Sequence, residues 1–201
     1  MPGPVFLHGD TMDLHTVAED DAEFIARWRN DPDVRPWLPQ TRPQTVAGTA
    51  DELADPEGTD DSELRLIVCD DGEPLGAVGL ARLDNAAGRA AIGAWFRPGA
   101  QGQRYGSDAV GRLVHCGFDD RRLNRTGAAA RADNEASRAA LESLGFGREG
   151  RHRDVHFLDG EYVDRVVYGL LESDRQSSEN SATAVVHPGS QTVTFHVVPE
   201  E

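Results

Sequence analysis

Two hydrophobic periodicities alternate along the chain. Strand-like apolar runs lie at residues 64–69, 75–83, 89–96, 126–132, 147–158 and 162–171, and an interrupted one lies at residues 5–17. Helices are predicted at residues 19–30, 46–54, 105–118 and 135–144, the third with apolar side chains at 3.6-residue spacing. The pattern predicts an α/β (α+β) domain, in which a mixed, mainly antiparallel central sheet is flanked by about four helices.

Turn residues indicate how these elements connect. Asp70-Asp71-Gly72 separates two apolar runs and predicts a hairpin, as does Asp159-Gly160. Gly145 ends the last of the predicted helices. Strands joined by such short turns are antiparallel, and parallel neighbours are expected where a helix connects two strands.

The end of the chain departs from this pattern. The domain is predicted to span residues 1–172, and residues 173–201 form an appendage that begins with a polar linker at 173–182. Residues 191–198 alternate, with Val193, Phe195 and Val197 on one side. A lone strand with an apolar face is expected to dock on its own sheet or on that of a second copy, the latter giving a homodimer.

The charge of the chain restricts its partners. Its 201 residues include 35 acidic and 20 basic ones, every basic residue is Arg, and the formal net charge is −15. Such a negative field disfavours general binding to nucleic acid and docking on anionic membranes. Because concentrated counterions screen repulsion among carboxylates, we interpret the composition as halophilic, adapted to a high-salt cytoplasm.

Cysteine usage and the absence of long apolar runs favour a cytoplasmic location. Cys69 and Cys116 lie in apolar runs without metal-type spacing, which predicts two buried, reduced thiols. The N-terminus lacks a basic segment followed by a long apolar one, so no signal peptide is expected. No apolar run reaches 18 residues, so no transmembrane helix is expected either.

A glycine-bearing loop joins the predicted strand at 89–96 to the helix at 105–118. It reads Gln101-Gly102-Gln103-Arg104-Tyr105-Gly106-Ser107. A helix N-terminus offers unpaired N–H groups and the positive end of the helix dipole. The loop is therefore predicted to hold a pyrophosphate.

The order of motifs after this loop resembles that of a known family. A helix and a strand follow, then Asn134-Glu135-Ala136-Ser137, then Leu144-Gly145-Phe146. This arrangement is similar to the GNAT superfamily of N-acetyltransferases, especially the ribosomal-protein N-terminal acetyltransferases of the RimJ/RimL type. The resemblance covers residues 12–171 and is strongest over 92–150. It implies acetyl-CoA as cosubstrate and acyl donor, and a primary amine as acceptor, either a small amine or a protein N-terminal α-amine.

The resemblance also implies roles for individual residues. The backbone of the strand at 92–96 would contact the pantetheine arm, the loop would hold the pyrophosphate, and an Asn would hydrogen-bond the pantetheine. The cofactor-binding residues implied are Trp95, Phe96, Gln101, Gly102, Gln103, Arg104, Tyr105, Gly106, Ser107 and Asn134. Asn134 also suits a helix N-cap.

Two positions depart from the family pattern. The fourth position of the loop motif is Arg104 where the family has Gly, so a guanidinium suited to phosphate replaces a residue that adopts positive φ readily. Many members carry a Tyr seven residues after the Asn as the acid that protonates the thiolate, but here that position is Leu141. The RimJ/RimL type has a Ser three residues after the Asn, so Ser137 is the candidate catalytic acid.

Other assignments stay open at this stage. The general base is not identified; Asp84, Glu73 and the acids near Asp51 are candidates. His152, Asp154 and His156 alternate along a strand, and we interpret them as a polar sheet face that could line the acceptor site, not as a metal site. Two alternatives to an enzyme remain: a CoA-binding sensor or scaffold without turnover, and a nucleotide-phosphate binder.

Overall fold

Eight strands form one sheet in the computed structural model, which describes residues 2–39, 42–54, 63–158 and 160–179. The strands are β1 Val5–His8, β2 Asp13–Thr16, β3 Glu63–Asp70, β4 Glu73–Asp84, β5 Arg89–Phe96, β6 Arg125–Arg131, β7 Gly147–Leu158 and β8 Glu161–Leu171. The helices are α1 Ala22–Arg29, α2 Val46–Ala54, α3 Tyr105–Asp119, α4 Glu135–Ser143 and α5 Glu172–Glu179. The predicted mixed α/β fold is confirmed, and α2 has the predicted bounds.

The sheet order is β1-β2-β3-β4-β5-β6-β8-β7, and every neighbouring pair except β5 and β6 is antiparallel. The parallel pair is the one that α3 connects, as predicted. The hairpin turn at Asp71 and Gly72 has φ values of 48° and 79°. Two consecutive left-handed residues are the geometry of a tight hairpin turn, which confirms that prediction.

Side chains alternate between two apolar layers, one on each face of the sheet. On one face Ile92, Phe96 and Tyr168 pack against α3 and α4 in the main core. On the other, which we call the α1/α2 face, Ile67 and Trp95 pack against Ile25 of α1. Because alternate residues of a strand point to opposite faces, Trp95 and Phe96 belong to different layers.

The chain after β8 is helical where a polar linker was predicted. Helix α5 covers Glu172–Glu179, a helix that the sequence pattern did not predict. Glu, Arg and Gln favour helix, and Arg175 holds the helix to the end of α3. Its guanidinium donates to Asp119 at 2.7 Å and lies 5.7 Å from the Phe118 ring. The predicted strand at 191–198 lies outside the described residues, and the domain boundary after residue 172 stays a prediction.

Both cysteines are buried and free, as predicted. Burial raises the pKa of the Cys69 thiol to about 12 and that of Cys116 to about 11. Both thiols are therefore protonated and unreactive near neutral pH. Among the described helices, none combines the length and the apolar character needed to span a membrane.

Candidate active site

Strands β5 and β6 are paired at one end only. Their parallel ladder consists of Arg89 with Arg125, Ala90 with Thr126 and Ala91 with Gly127. Beyond Ala91 the two strands diverge, although β6 stays paired with β8 along its whole length. The divergence opens a cleft in the middle of the sheet, and one edge of that cleft is the unpaired side of β5.

The backbone of β5 alternates between β4 and this cleft. The Arg97 amide donates to the Leu75 carbonyl at 2.9 Å, so residues at odd positions of β5 direct their backbone groups toward β4. Ala94 and Phe96 therefore direct theirs into the cleft, and Trp95 does not. The Phe96 carbonyl accepts a hydrogen bond from the Gln101 side chain at 3.2 Å, which ties the loop to the cleft edge. Sequence reasoning did not single out Ala94; its even spacing from Phe96 was the available indication.

The predicted phosphate loop turns sharply before α3. Gly102 has φ of 74° and Arg104 has φ of 68°, so both are left-handed. The Gln103 side chain donates to the Gly99 carbonyl at 3.2 Å, while Gly102, Gln103 and Arg104 are exposed. The positive φ that glycine would take at the fourth motif position is thus adopted by Arg104, and its side chain lies at the N-terminus of α3.

The first turn of α3 offers amide groups to an anion. Asp108 makes the first helical hydrogen bond, its N–H donating to the Arg104 carbonyl, so the helix supplies no acceptor for the amides of Tyr105, Gly106 and Ser107. The Ser107 hydroxyl donates to the Arg104 carbonyl at 3.0 Å. The Tyr105 hydroxyl donates to Asp70 at 2.5 Å, and this bond raises the pKa of the phenol.

Asp108 points away from the loop. One of its carboxylate oxygens accepts hydrogen bonds from the amides of Asp10 and Thr11 and from the Thr11 hydroxyl, at 2.8–3.0 Å. These donors belong to the turn between β1 and β2. Asp108 therefore fixes the phosphate end of α3 to the N-terminal hairpin.

Helix α4 begins at the Asn of the family motif. The Asn134 side chain caps the helix by accepting the Ser137 amide at 3.0 Å, and both residues are buried. Leu141, one helical turn further along, is also fully buried. The predicted acid Ser137 thus lies in the first turn of α4, held by the residue predicted to contact the pantetheine.

Two of the candidate bases, Asp84 and Glu73, have structural partners. Asp84 caps a turn through the Ala87 amide at 2.9 Å and pairs with Arg89, and these contacts lower the pKa of its carboxyl group. Glu73 pairs with Arg97 at 2.6 Å. Asp51 is exposed on α2. None of these contacts indicates a proton acceptor for an amine.

A cavity of about 230 Å³ lies between the α1/α2 face of the sheet and the two helices that cover it. Trp95, Gly93 and Ala94 form part of its floor, which places it beside the cleft edge of β5. Its rim carries Arg29 and Arg65, and both donate to Glu52 of α2. This paired rim and apolar floor suit the carbon chain of an acceptor.

A second cavity of about 410 Å³ lies on the same face, over the paired ends of β5 and β6. Its floor includes Ala91, Gly127 and Val167, and the charged side chains that line it are Arg82, Asp84, Arg89 and Arg125. Arg89 pairs with Asp84, and Arg125 pairs with Glu149. Ala91 pairs with Ala81, a residue lining the first cavity, so the two cavities are adjacent.

Sequence reasoning missed two buried arginines on the sheet face that carries these cavities. Arg131 and Arg165 are register partners on β6 and β8, with exposures of 4% and 9%. The available indication was their position in strands of small and apolar residues, in phase with Ala129 and Val167. His152 of the predicted polar face contacts Arg165, and the neutral form of His156 is favoured because burial and Arg165 lower its pKa. Among the described residues no cluster of three metal-ligating side chains occurs.

Comparison with known proteins gives the family. Residues 12–147 match the model of the GNAT acetyltransferase domain. This protein belongs to the GNAT acetyltransferase family. An uncharacterized N-acetyltransferase of Bacillus licheniformis is 28% identical over 175 residues, covering 84% of this chain and 97% of the relative. The ribosomal-protein-serine acetyltransferase of Escherichia coli is 26% identical, covering 81% and 93%.

A solved structure shares the fold. The spermidine N-acetyltransferase of Vibrio cholerae, crystallised with CoA and spermine, superimposes with a TM-score of 0.77 at 20% identity. The superposition covers 83% of this chain and 98% of that one. The GNAT fold and the acetyl-CoA-dependent N-acetyltransferase class implied by the sequence are confirmed.

Proposed function

We propose that this protein transfers the acetyl group of acetyl-CoA to the α-amine of a peptide or protein N-terminus, in a ternary complex. The observation that carries the proposal is the cleft between β5 and β6, which opens directly beside the amide-rich N-terminus of α3. An extended thioester carrier and its pyrophosphate would fit these two features together.

The residues that hold acetyl-CoA are the cleft edge and the loop. The Phe96 backbone would pair with the pantetheine arm, as a strand would, and Ala94 would add a second set of backbone groups. The Gln101–Gly106 backbone and the Arg104 guanidinium would hold the pyrophosphate. Trp95 would contribute by packing its ring against Phe24, 5.8 Å away, on the floor of the acceptor cavity.

Ser137 is the proposed acid for the leaving thiolate. As the amine attacks the thioester carbon and the tetrahedral intermediate collapses, the carbon–sulfur bond breaks and the sulfur needs a proton. The hydroxyl of Ser137 lies at the end of α4 held by Asn134, so both residues serve the same part of the carrier. An α-amine has a pKa near ~8, so a useful neutral fraction exists at neutral pH without a strong base.

Thiol release from acetyl-CoA tests the proposal. Purified protein is incubated with acetyl-CoA in concentrated KCl, with N-terminal peptides, spermidine or no acceptor. Acceptor-dependent thiol release with a peptide, and a mass increase confined to its α-amine, supports the proposal. Tight acetyl-CoA binding without release for any amine would support the alternative of a CoA-binding sensor.

A further inference from the structure

The most unusual charge in the described residues is the buried guanidinium of Arg165. Its neighbour Arg131, which is also buried, has partners for its charge: it pairs with Asp133, donates to the Pro36 carbonyl at 2.8 Å and lies 4.4 Å from the Trp37 ring. Among the described residues, Arg165 makes one side-chain hydrogen bond, to the His152 ring at 3.0 Å, and its Nε has no partner.

The surroundings of Arg165 disfavour the charged form of its guanidinium. Burial and the charge of Arg82 both lower the pKa of its guanidinium. The imidazole of His152 offers Arg165 no negative charge. A buried cation without a carboxylate is costly, and the cost is unexpected in a chain with 35 acidic residues. The described structure thus holds the Arg165 guanidinium without a carboxylate partner.

Arg165 lies on the sheet face that carries both cavities, although it is not among the residues that line them. Arg165 and Val167 are alternate residues of β8, so they share the α1/α2 face, and Val167 is part of the floor of the 410 Å³ cavity. Arg82 lines the same cavity and occupies a bulge between β4 and β5, with φ of 53°. Bulges redirect side chains, and the charge of Arg82 is near enough to Arg165 to act on it.

We propose that Arg165 and Arg82 bind a carboxylate of the acceptor, so that the preferred substrate is the N-terminal amine of an acidic peptide. The inference rests on the proposed function and specifies its substrate class. A carboxylate accepts two parallel N–H bonds from a guanidinium and neutralises the buried charge. A polyamine would bring further positive charge toward Arg165, and repulsion should make it a poorer acceptor.

A pair of peptides tests the proposal. The peptides share an N-terminal residue and length, and differ only in having Asp and Glu, or Asn and Gln, at the next positions. The acidic peptide is expected to have a kcat/KM about 10- to 100-fold higher, the effect of one or two charge-assisted hydrogen bonds. Spermidine is expected to be a poorer acceptor than either peptide.

Arg165→Gln should remove this preference. Its kcat/KM for the acidic peptide should fall to that for the amide peptide, with the KM for acetyl-CoA unchanged. The control is Arg148→Gln, because Arg148 is exposed and pairs in register with Tyr168, on the opposite face of the sheet. It removes the same charge and should leave the preference intact. Arg165→Lys keeps the positive charge but loses the paired N–H donors of the guanidinium, so it should retain part of the preference for the acidic peptide.

A binding measurement on the unmodified protein needs no variant. With acetyl-CoA replaced by CoA, the acidic peptide should raise the melting temperature more than the amide peptide does. Equal kcat/KM values for the two peptides, or a preference retained in Arg165→Gln, would refute the inference while leaving the acetyltransferase function in place. Absence of thiol release with every amine would instead refute the proposed function, and the melting measurement would still decide whether Arg165 recognises a carboxylate.

Discussion

Arg104 combines an unfavourable backbone conformation with an exposed side chain at a helix N-terminus. Left-handed φ costs a non-glycine residue roughly 1–2 kcal/mol, and glycine at this position would avoid that cost. A guanidinium next to the amides of α3 offers a second, movable phosphate ligand in place of a closer backbone approach. Arg104 therefore lowers the stability of the free protein, and its guanidinium would contact phosphate only when the cofactor is bound.

Replacing Arg104 with Gly should separate these two effects. We expect the free energy of unfolding to rise by roughly 0.5–1 kcal/mol, since relief of strain exceeds the entropy cost of glycine. The KM for acetyl-CoA should rise several-fold, because the guanidinium is lost. Arg122 provides the control, since it is exposed and also left-handed, with φ of 55°. Arg122→Gly should give the stability gain alone, by chemical denaturation and steady-state kinetics.

Ser137 is predicted to act in the transition state. Ser137→Ala should lower kcat by about 10²-fold, the low end for general acid catalysis, and leave the acetyl-CoA Kd within a few-fold. Ser143→Ala removes a hydroxyl from the other end of the same helix, where it donates to the Ala140 carbonyl, and should not change kcat. Single-turnover rates measure the chemical step. An unchanged rate in Ser137→Ala would remove it from the mechanism, and weakened binding alone would make it a positioning residue.

At the scale of elements, polar contacts attach α3 at both of its ends, and Asp108 makes most of those at the N-terminal end. Asp108 accepts three hydrogen bonds from the β1–β2 turn, and Arg112 of the same helix pairs with Asp10 of that turn. The N-terminus of α3 is thereby attached to the first hairpin, and its C-terminus is attached to α5 through Asp119 and Arg175. The helix that would bind the pyrophosphate is fixed at both ends.

Asp108→Ala should therefore change both folding and cofactor binding. We expect a loss of about 1–2 kcal/mol in the free energy of unfolding, and a several-fold increase in the acetyl-CoA KM as the N-terminal turn becomes less constrained. Asp119→Ala breaks the attachment at the other end and should lower stability without changing KM. Denaturant titration and initial rates give both quantities. An unchanged KM in Asp108→Ala would show that the helix position does not depend on this contact.

The elements themselves were largely predictable from sequence, because local periodicity determines them. Alternation gave the strands, 3.6-residue spacing gave α3, and Asp-Gly turns gave the hairpins. The helical end of the chain was not predictable, since α5 depends on Arg175 meeting Asp119, 56 positions away. The divergence of β5 and β6 likewise depends on sheet pairing, which a local pattern does not encode.

The site was predictable only in part, for a related reason. Loop and cap residues such as Gly102 and Asn134 carry their chemistry in a local motif. Arg165 does not: its importance comes from the absence of a carboxylate near it among the described residues, which only the packed sheet reveals. The role of Arg82 was not predictable from sequence either, because the orientation of its side chain depends on a bulge in the sheet.

For the whole molecule, the net charge of −15 predicts a strong salt dependence. We propose that the protein is adapted to a high-salt cytoplasm, and expect its melting temperature to rise markedly between about 0.1 and 2 M KCl, because counterions screen the repulsion among carboxylates. A variant with Glu23, Asp120 and Glu161, all exposed, changed to amides should show a smaller increase. Thermal melts at several KCl concentrations measure it. Full stability in dilute buffer would contradict the proposed adaptation.

The incomplete pairing of β5 with β6 would make the stability of this protein depend on the acetyl-CoA concentration. Three residue pairs join the five-strand section of the sheet to the three-strand section, and a pantetheine arm in the cleft would supply further rungs between them. A ligand that binds only the folded state adds its binding free energy to folding, in proportion to the logarithm of its concentration. Proteolysis of the unfolded protein would then be slower when acetyl-CoA is abundant and faster when it is scarce. The amount of enzyme in the cell would follow its own acyl supply without any regulator.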